Sequence, residues 1–175
     1  MKAAFLDRDG VVTEDIGFVH KIKDFNLVKN AIKGLKLLKG FKLIFITNQS
    51  GIGRGCFKFE DFLNYNNKVL EELGKHNIKI EKTYVCQHAP EENCECRKPK
   101  AKMIKEAAKE FGIDLNMSFM IGDRKTDVEM GQNAGCKSIL VLTGKGMEEK
   151  EGAKADYIAK DLLDAAKWIL TNDNQ

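Results

Sequence analysis

The 175-residue sequence contains little proline, tryptophan or histidine, with 2, 1 and 3 of these residues respectively. It has no low-complexity linker or internal repeat, and no apolar run approaches the roughly 20 residues that span a bilayer. Lysine and arginine are numerous but interspersed with acids, so the net charge is +3 and the basic stripe typical of nucleic-acid-binding proteins is missing. We therefore expect a globular protein that binds neither a membrane nor nucleic acid.

The chain also lacks an apolar segment of signal-peptide length near its first residues. Its five cysteines are an odd number, which argues against a disulfide framework and favours a reducing cytoplasmic location. Two of them, Cys56 and Cys136, are isolated and are predicted to be small packing residues. The length and the 43% hydrophobic fraction predict a single domain, residues 1–175, and we expect a monomer.

Short apolar runs alternate with amphipathic segments along the chain. The runs predict strands at 3–6, 41–47, 83–86, 118–121 and 138–142, and the amphipathic periodicity predicts helices at 30–39, 59–73, 101–111, 127–134 and 160–170. Strands separated by helices form parallel βαβ units, which predicts an α/β fold with a three-layer, Rossmann-like, doubly wound parallel sheet. Residues 144–155 lack periodicity and are predicted to be a surface excursion.

Polar residues follow the predicted strands at their carboxyl ends, where sheets of this kind bind ligands. Asp7 and Asp9 follow the first strand and point to the same side. Two converging carboxylates need a cation between them or a proton on one of them. The groups that follow later strands are Thr47, Asn48, Gln49, Ser50, Lys98, Asp123, Arg124 and Asp127.

At one sheet edge these residues would supply a carboxylate nucleophile, a second carboxylate, a hydroxyl, an ammonium and further acids. That combination is suited to phosphoryl transfer through a covalent acyl-phosphate. The hard oxygen ligands favour Mg²⁺. The sequence therefore predicts an enzyme that acts on a small phosphorylated metabolite.

A second cluster has the pattern C-x-H-x5-C-x-C, formed by Cys86, His88, Cys94 and Cys96. Three thiolates and one imidazole complete a closed tetrahedral zinc site, which builds structure and performs no chemistry. The pattern is followed at once by Arg97 and Lys98, so bound Zn²⁺ would hold this basic pair in place. Four residues without metal, or a catalytic zinc, are the alternatives.

The ordered motifs resemble those of the haloacid dehalogenase superfamily of aspartyl phosphatases. The matches are D-x-D-G at 7–10, the hydroxyl at Thr47, the lysine at Lys98 and G-D-x-x-x-D at 122–127. The gaps between motifs are too short for a full cap domain, so the chain resembles the capless branch. Within it, F-L-D-R-D-G, T-N-Q-S-G-I-x-R-G and C-x-H…C-x-C-R-K-P are similar to the D,D-heptose 1,7-bisphosphate phosphatase and histidinol-phosphatase group, and the third of these motifs is its zinc-stapled loop.

This resemblance implies catalytic roles. Asp7 would attack phosphorus, and Asp9 would act as general acid and then as general base. Thr47 and Lys98 would hold the transferring phosphoryl oxygens. Mg²⁺ would be bound by Asp7, the Asp9 backbone carbonyl and Asp123, with Asp127 supporting that shell.

The resemblance also implies substrate-binding residues. Arg97 would bind the remote part of the substrate, including an uncleaved second phosphate. Position 124 departs from the lysine usual in this group, because arginine stands there. The residues that would complete the pocket are Asp15, Gly17, Phe18, Asn48, Gln49, Ser50 and Arg124.

The substrate implied by the resemblance is D-glycero-D-manno-heptose 1,7-bisphosphate, cleaved at the C7 phosphate, and histidinol phosphate is the enzymatic alternative. Two other classes stay open. In a phospho-accepting signalling domain, a partner would read phosphorylated Asp7. In a zinc-stapled binding module, the active site would be vestigial.

Overall fold

A computed structural model of the protein describes residues 1–172, and in this part of the chain six strands form one sheet. The strands are β1 (Ala3–Leu6), β2 (Lys42–Asn48), β3 (Lys82–Cys86), β4 (Phe119–Gly122), β5 (Lys137–Val141) and β6 (Tyr157–Ala159). The α-helices are α1 (Ala31–Leu37), α2 (Ser50–Gly53), α3 (Phe59–Lys75), α4 (Lys102–Phe111), α5 (Lys125–Ala134), α6 (Gly146–Glu149) and α7 (Leu162–Asn172). Single 3₁₀ turns occupy Ile22–Asp24, Pro90–Glu92 and Leu115–Met117.

The strand order is β3-β2-β1-β4-β5-β6, and every neighbouring pair is parallel. The chain winds outward from β1 to β3, returns to the middle at β4 and then winds the other way. The order therefore reverses between β1 and β4, which is the switch point where open α/β sheets bind ligands. The doubly wound parallel sheet predicted from the sequence is confirmed.

The core is divided by the sheet into two apolar layers. Along β1, Ala4 and Leu6 belong to one layer and Ala3 and Phe5 to the other, as the two-residue period of a strand requires. The first layer packs against α1, α3 and α7, and the second against α4 and α5. Helices on both faces explain why all four residues of β1 are buried and apolar. The three-layer architecture is thus confirmed.

The five predicted strands each lie within one residue of an observed strand at both ends, and the five predicted helices lie within two residues. The pattern missed α2, α6 and β6, which have only 4, 4 and 3 residues. Segments this short complete little more than one helical turn or one strand repeat, which is too few residues for a periodicity to be recognised. No helix of residues 1–172 has the length and apolarity to cross a bilayer.

Residues 144–155 are mostly exposed or partly exposed, as the predicted surface excursion requires, and Gly146 is the exception. Gly146 is buried and starts α6, and the backbone N–H of Lys145 donates a hydrogen bond to Asp123 Oδ2 over 2.7 Å. The polar composition of the segment suggested a solvated loop. The segment contacts Asp123 through a backbone N–H, and amino-acid composition does not reveal such a contact.

Candidate active site

An open cleft of about 480 Å³ lies at the carboxyl ends of the central strands. Its walls contain all twelve residues that the sequence assigned to catalysis and substrate binding: Asp7, Asp9, Asp15, Gly17, Phe18, Thr47, Asn48, Gln49, Ser50, Arg97, Lys98 and Arg124. Four further residues line it, Val19, Arg54, Thr126 and Glu149. These four are not among the site residues that the motifs predict. The structure brings the predicted residues together from loops after β1, β2, β3 and β4.

A buried ion pair forms the floor of the cleft. Lys98 Nζ lies 2.8 Å from Asp7 Oδ2 and 2.6 Å from Asp127 Oδ1, and the lysine side chain is 2% exposed. Its ammonium also donates to the carbonyl of Ile46 over 3.2 Å. One fixed cation therefore bridges the carboxylate after β1 and a carboxylate on α5.

Three buried aspartates converge beside this lysine. One carboxylate oxygen from each of Asp7, Asp123 and Asp127 can be chosen so that all three lie within 4.8 Å of one another. In each, one oxygen accepts a backbone N–H: from Arg8 at 2.8 Å, from Lys145 at 2.7 Å and from Arg124 at 3.0 Å. These amides fix the orientation of the three carboxylates.

Of the oxygens that these amides leave, Asp7 Oδ2 and Asp127 Oδ1 also contact Lys98, and Asp123 Oδ1 is the one most open to a hard divalent cation. Asp123 Oδ1 is buried and accepts no hydrogen bond from any residue of 1–172. Buried carboxylate oxygens are normally satisfied, and Mg²⁺ is bound in proteins by one or two carboxylates together with waters and phosphate oxygens. The donor set and the orphaned oxygen both fit Mg²⁺.

The charges in the floor shift one another's protonation. Burial raises the pKa of Asp7 well above its ordinary value, and Lys98 opposes this effect while Asp127 adds to it. Burial, together with Asp127, raises the pKa of Asp123 to about 6. Burial alone would lower the pKa of Lys98, but Asp127 and Asp7 outweigh it and raise the pKa above its ordinary value. Lys98 therefore stays a cation at neutral pH, while Asp7 and Asp123 keep a proton to a higher pH than ordinary aspartates do.

Two glycines allow the backbone to approach Asp123. Gly10 and Gly144 have φ of +86° and +55°, and a Cβ at either position would lie 2.1 Å from Asp123 Oδ2. Positive φ and the close approach both exclude other residues. The loops after β1 and β5 thus close around this carboxylate, and Thr143 Oγ1 joins them by donating to the Gly10 carbonyl over 2.6 Å.

The second carboxylate of the D-x-D-G motif has a different environment. Asp9 accepts two hydrogen bonds from the Arg8 guanidinium, one from Thr13 and one from Gln49. Gln49 Nε2 also donates to Thr47 Oγ1 over 2.9 Å, which connects the hydroxyl after β2 to Asp9. Asn48 Oδ1 accepts the backbone N–H of Lys98 over 3.2 Å, so it positions the lysine loop as well as lining the cleft.

The rim of the cleft is basic. Arg124 Nη2 lies 3.0 Å from Asp15 Oδ2, and Asp15 Oδ1 accepts the N–H of Gly17. Arg54 lies 3.6 Å from Glu91. Arg97 is half-buried, and its Nη1 has no hydrogen-bond partner among residues 1–172. Three guanidinium groups therefore surround the opening, and two of them, those of Arg97 and Arg124, are predicted from the sequence.

The Cys/His cluster lies directly before Arg97. The four ligand atoms lie close together: Cys86 Sγ is 3.5 Å from Cys94 Sγ and 3.7 Å from His88 Nδ1, while Cys96 Sγ is 3.6 Å from Cys94 Sγ and 3.3 Å from His88 Nδ1. A tetrahedral site with Zn–S of about 2.3 Å has ligand separations of about 3.7 Å. The cluster therefore has the geometry that a Zn²⁺ ion requires.

Comparisons with known proteins identify the family. Residues 95–165 match the HAD-hydrolase-like family model. The chain is 48% identical over 171 residues to a D-glycero-beta-D-manno-heptose-1,7-bisphosphate 7-phosphatase from Helicobacter pylori strain J99, covering 96% of this chain and 97% of that protein. It is 42% identical over 153 residues to a D-glycero-alpha-D-manno-heptose-1,7-bisphosphate 7-phosphatase from Campylobacter jejuni, covering 86% of each.

A solved structure agrees with this assignment. The D,D-heptose 1,7-bisphosphate phosphatase from B. bronchiseptica, crystallised with magnesium and phosphate, superimposes with a TM-score of 0.92 at 29% identity. The superposition covers 98% of this chain and 99% of that one. The chain belongs to the heptose-1,7-bisphosphate 7-phosphatase family of HAD-like hydrolases.

Proposed function

We propose that this protein is a Mg²⁺-dependent phosphatase that hydrolyses the C7 phosphate of D-glycero-D-manno-heptose 1,7-bisphosphate through an aspartyl-phosphate. The observation that carries the proposal is the buried cluster of Asp7, Lys98, Asp123 and Asp127, at the floor of a cleft with a basic rim. Relatives of known name at 38–48% identity over most of the chain support the substrate.

In the first half-reaction, a carboxylate oxygen of Asp7 attacks phosphorus. The bond between that oxygen and phosphorus forms as the bond from phosphorus to the C7 oxygen breaks. Asp9 gives its proton to the leaving alkoxide. Lys98, which already lies 2.8 Å from Asp7 Oδ2, and the Thr47 hydroxyl stabilise the charge on the transferring oxygens, each by roughly 2–4 kcal/mol.

In the second half-reaction, water attacks the same phosphorus. Asp9, now a carboxylate, takes the proton of this water, and the bond from phosphorus to the Asp7 oxygen breaks. Inorganic phosphate leaves, the Asp7 carboxylate is restored, and Asp9 is again protonated for the next cycle. Asp7 and Asp9 both line the cleft, as this alternation requires.

Asp7, Asp123 and the Asp9 backbone carbonyl would hold Mg²⁺, with Asp127 supporting them. When bound, this cation neutralises carboxylate and phosphate charge in the buried floor. The neighbouring ammonium of Lys98 already neutralises part of the negative charge of these carboxylates, so the metal has to neutralise only the rest. Fixing of Asp7, Asp123 and Asp127 by backbone amides supports this arrangement.

The second phosphate of the substrate would be bound at the rim. Arg54, Arg97 and Arg124 present guanidinium groups there, and guanidinium pairs with phosphate through two parallel hydrogen bonds. The buried Nη1 of Arg97 has no hydrogen-bond partner among residues 1–172, and a phosphate oxygen would supply one. Asn48, Gln49 and Ser50, with the Asp15–Gly17–Phe18 loop, would contact the sugar between the two phosphates.

Zn²⁺ would be held by Cys86, His88, Cys94 and Cys96 and would fix the loop that carries Arg97 and Lys98. The four ligand atoms leave no coordination position open, so the metal would build structure. All five cysteines are free, which supports our proposal that the protein works in the reducing cytoplasm.

The test is a comparison of kcat/KM for the β and α anomers of heptose 1,7-bisphosphate and for histidinol phosphate, each with Mg²⁺ and with chelator. We expect Mg²⁺-dependent release of one phosphate, from C7, with a preference for a heptose bisphosphate. Asp7→Asn should nearly abolish turnover because the nucleophile is lost. Asp114→Asn, at the opposite end of the sheet, is the matched control. A preference for histidinol phosphate, or substantial turnover by Asp7→Asn, would contradict the proposal.

A further inference from the structure

We propose that Arg8, the residue between the two aspartates of the D-x-D-G motif, is a positioning residue that holds Asp9 for its two proton transfers. The inference rests on the proposed function, since it assigns Asp9 the role of acid and base. Strand alternation turns Arg8 away from Asp7 and Asp9 and into the interior. For that reason strand periodicity alone predicts no role for Arg8 in the site.

The guanidinium of Arg8 nevertheless contacts the neighbouring residue, Asp9. Nε donates to Asp9 Oδ1 and Nη2 donates to Asp9 Oδ2, both over 3.0 Å, which is the bidentate arrangement of an arginine and a carboxylate. The backbone N–H of Arg8 donates to Asp7 Oδ1 over 2.8 Å. One residue thus contacts the proposed nucleophile with its main chain and the proposed acid–base group with its side chain.

A dedicated surface of α3 holds this guanidinium in place. Its Cζ lies 4.8 Å above the ring of Tyr65 and 5.1 Å from that of Phe62, and Nη1 donates to Asn66 Oδ1 over 3.4 Å. Residues 62, 65 and 66 have the three- and four-residue spacings that define one face of a helix. Arg8 is fully buried, while 16% of the Asp9 side chain reaches the cleft. The helix therefore fixes Asp9 through an intermediary that solvent and substrate cannot reach.

The remaining partners of Asp9 do not replace this support. Thr13 and Gln49 each donate one neutral hydrogen bond, to opposite oxygens. Gln49 also contacts Thr47 and lies in the cleft, where a phosphate would compete for its amide. The arginine fork supplies the two charged donors that set the plane of the carboxylate, and misplacement by about 1 Å costs on the order of 10²-fold in rate.

Leaving groups of different basicity separate this role from a general structural one. A sugar alkoxide must be protonated as it departs, whereas the phenolate of p-nitrophenyl phosphate departs without a proton. Hydrolysis of the aspartyl-phosphate requires the base with either substrate. A misplaced Asp9 therefore slows both half-reactions for the sugar ester but only the second for the aryl ester.

The experiment measures kcat and KM of Arg8→Lys and Arg8→Met with the heptose bisphosphate and with p-nitrophenyl phosphate. Lysine keeps the charge without the fork, and methionine keeps much of the volume. For the sugar ester we expect kcat/KM to fall about 10²-fold. For the aryl ester, kcat and KM should fall together, so that kcat/KM stays within about threefold of the wild-type value.

Val69→Ala is the matched control, because Val69 is fully buried on α3 without contacting Asp9. It should lower thermal stability and leave the selectivity between the two esters unchanged. If Arg8→Met does not fold, Asn66→Ala, which removes the third contact of the guanidinium, should show the same selectivity to a smaller degree.

Equal losses of kcat/KM with both esters, or wild-type kinetics in Arg8→Lys, would overturn the proposal. If the wild-type enzyme cleaves the aryl ester but not the sugar bisphosphate, the proposed substrate is refuted. The role of Arg8 can still be tested in that case, because a parallel fall of kcat and KM for the aryl ester reports a slower second half-reaction. Loss of all turnover in wild type would instead refute the proposed phosphatase activity itself.

Discussion

Replacement of Lys98 by methionine tests whether one buried ammonium holds the catalytic carboxylates together. Its Nζ lies 2.8 Å from Asp7 and 2.6 Å from Asp127, and these side chains are 2%, 9% and 0% exposed respectively. Methionine has a similar length and no charge. The variant would therefore leave two buried carboxylates facing each other without the cation that separates them.

The expected loss of stability follows from that geometry. Removing one partner of a buried ion pair costs about 3–5 kcal/mol. A protein of this size loses about 2–4 °C in Tm for each kcal/mol, so we expect Tm in chelator at pH 7.5 to fall by about 6–20 °C. The activity should fall about 10²–10³-fold, because the same ammonium stabilises the transferring phosphoryl group.

The loss of stability in Lys98→Met should depend on pH in a defined direction. Lys98 lowers the pKa of Asp7 against the effect of burial, so its removal raises that pKa further in the folded state only. A carboxyl with a raised folded pKa loses stability as pH rises from its unfolded toward its folded value. The difference between wild type and Lys98→Met should therefore be larger at pH 7.5 than at pH 5.

Thermal unfolding in chelator at both pH values, with and without added Mg²⁺, checks this reasoning. Lys105→Met, an exposed position on α4, should leave Tm unchanged. Adding Asp127→Asn to Lys98→Met should recover part of the lost stability, since one of the two facing charges is removed. An unchanged Tm in Lys98→Met, or a deficit that grows at pH 5, would refute the account.

Three further predictions concern the metals and the glycine contacts. Cys94→Ser should lose zinc by elemental analysis and lower Tm together with activity, whereas the exposed Cys56→Ser should do neither. Because burial raises the pKa of Asp123 to about 6, Mg²⁺ must displace a proton below that pH. Since Asp7 also has a raised pKa, the affinity for Mg²⁺ by calorimetry should fall at least about tenfold per pH unit there, and a flat profile would contradict this. Gly10→Ala should weaken Mg²⁺ binding and destabilise the fold by at least about 1–3 kcal/mol, because its Cβ would meet Asp123. Gly152→Ala, which has φ +77° and its nearest non-neighbouring atom 4.0 Å away, should retain Mg²⁺ affinity.

Much of the site could be predicted because parallel strands bring their carboxyl ends to one edge. Asp7, Thr47 and Lys98 lie far apart along the chain, yet each follows a strand that the apolar pattern indicates clearly. The fold then determines that they meet. Motif order restricted the chemistry further, since only a few reactions use paired aspartates, a hydroxyl and a lysine together.

Residues whose side chains reach the site from somewhere other than a strand end could not be predicted in this way. Arg8 alternates toward the interior, and its return to Asp9 depends on the face of α3 that lies beneath it. Arg54 lies beyond the end of β2 and is the first residue after α2. Its position at the rim depends on that single helical turn, which the sequence pattern does not indicate.

The three carboxylates show most clearly which part of the site cannot be predicted from the chemistry of the side chains. Asp7, Asp123 and Asp127 each have one oxygen fixed by a backbone N–H, and these amides come from the loops after β1, β5 and β4 respectively. Every non-proline residue has such a donor, so its presence in a sequence carries no signal. What selects the donors is close approach, which at Asp123 depends on Gly10 and Gly144. The side chains thus define which ion the site binds, while the glycine-dependent course of the backbone determines which oxygens are free to bind it.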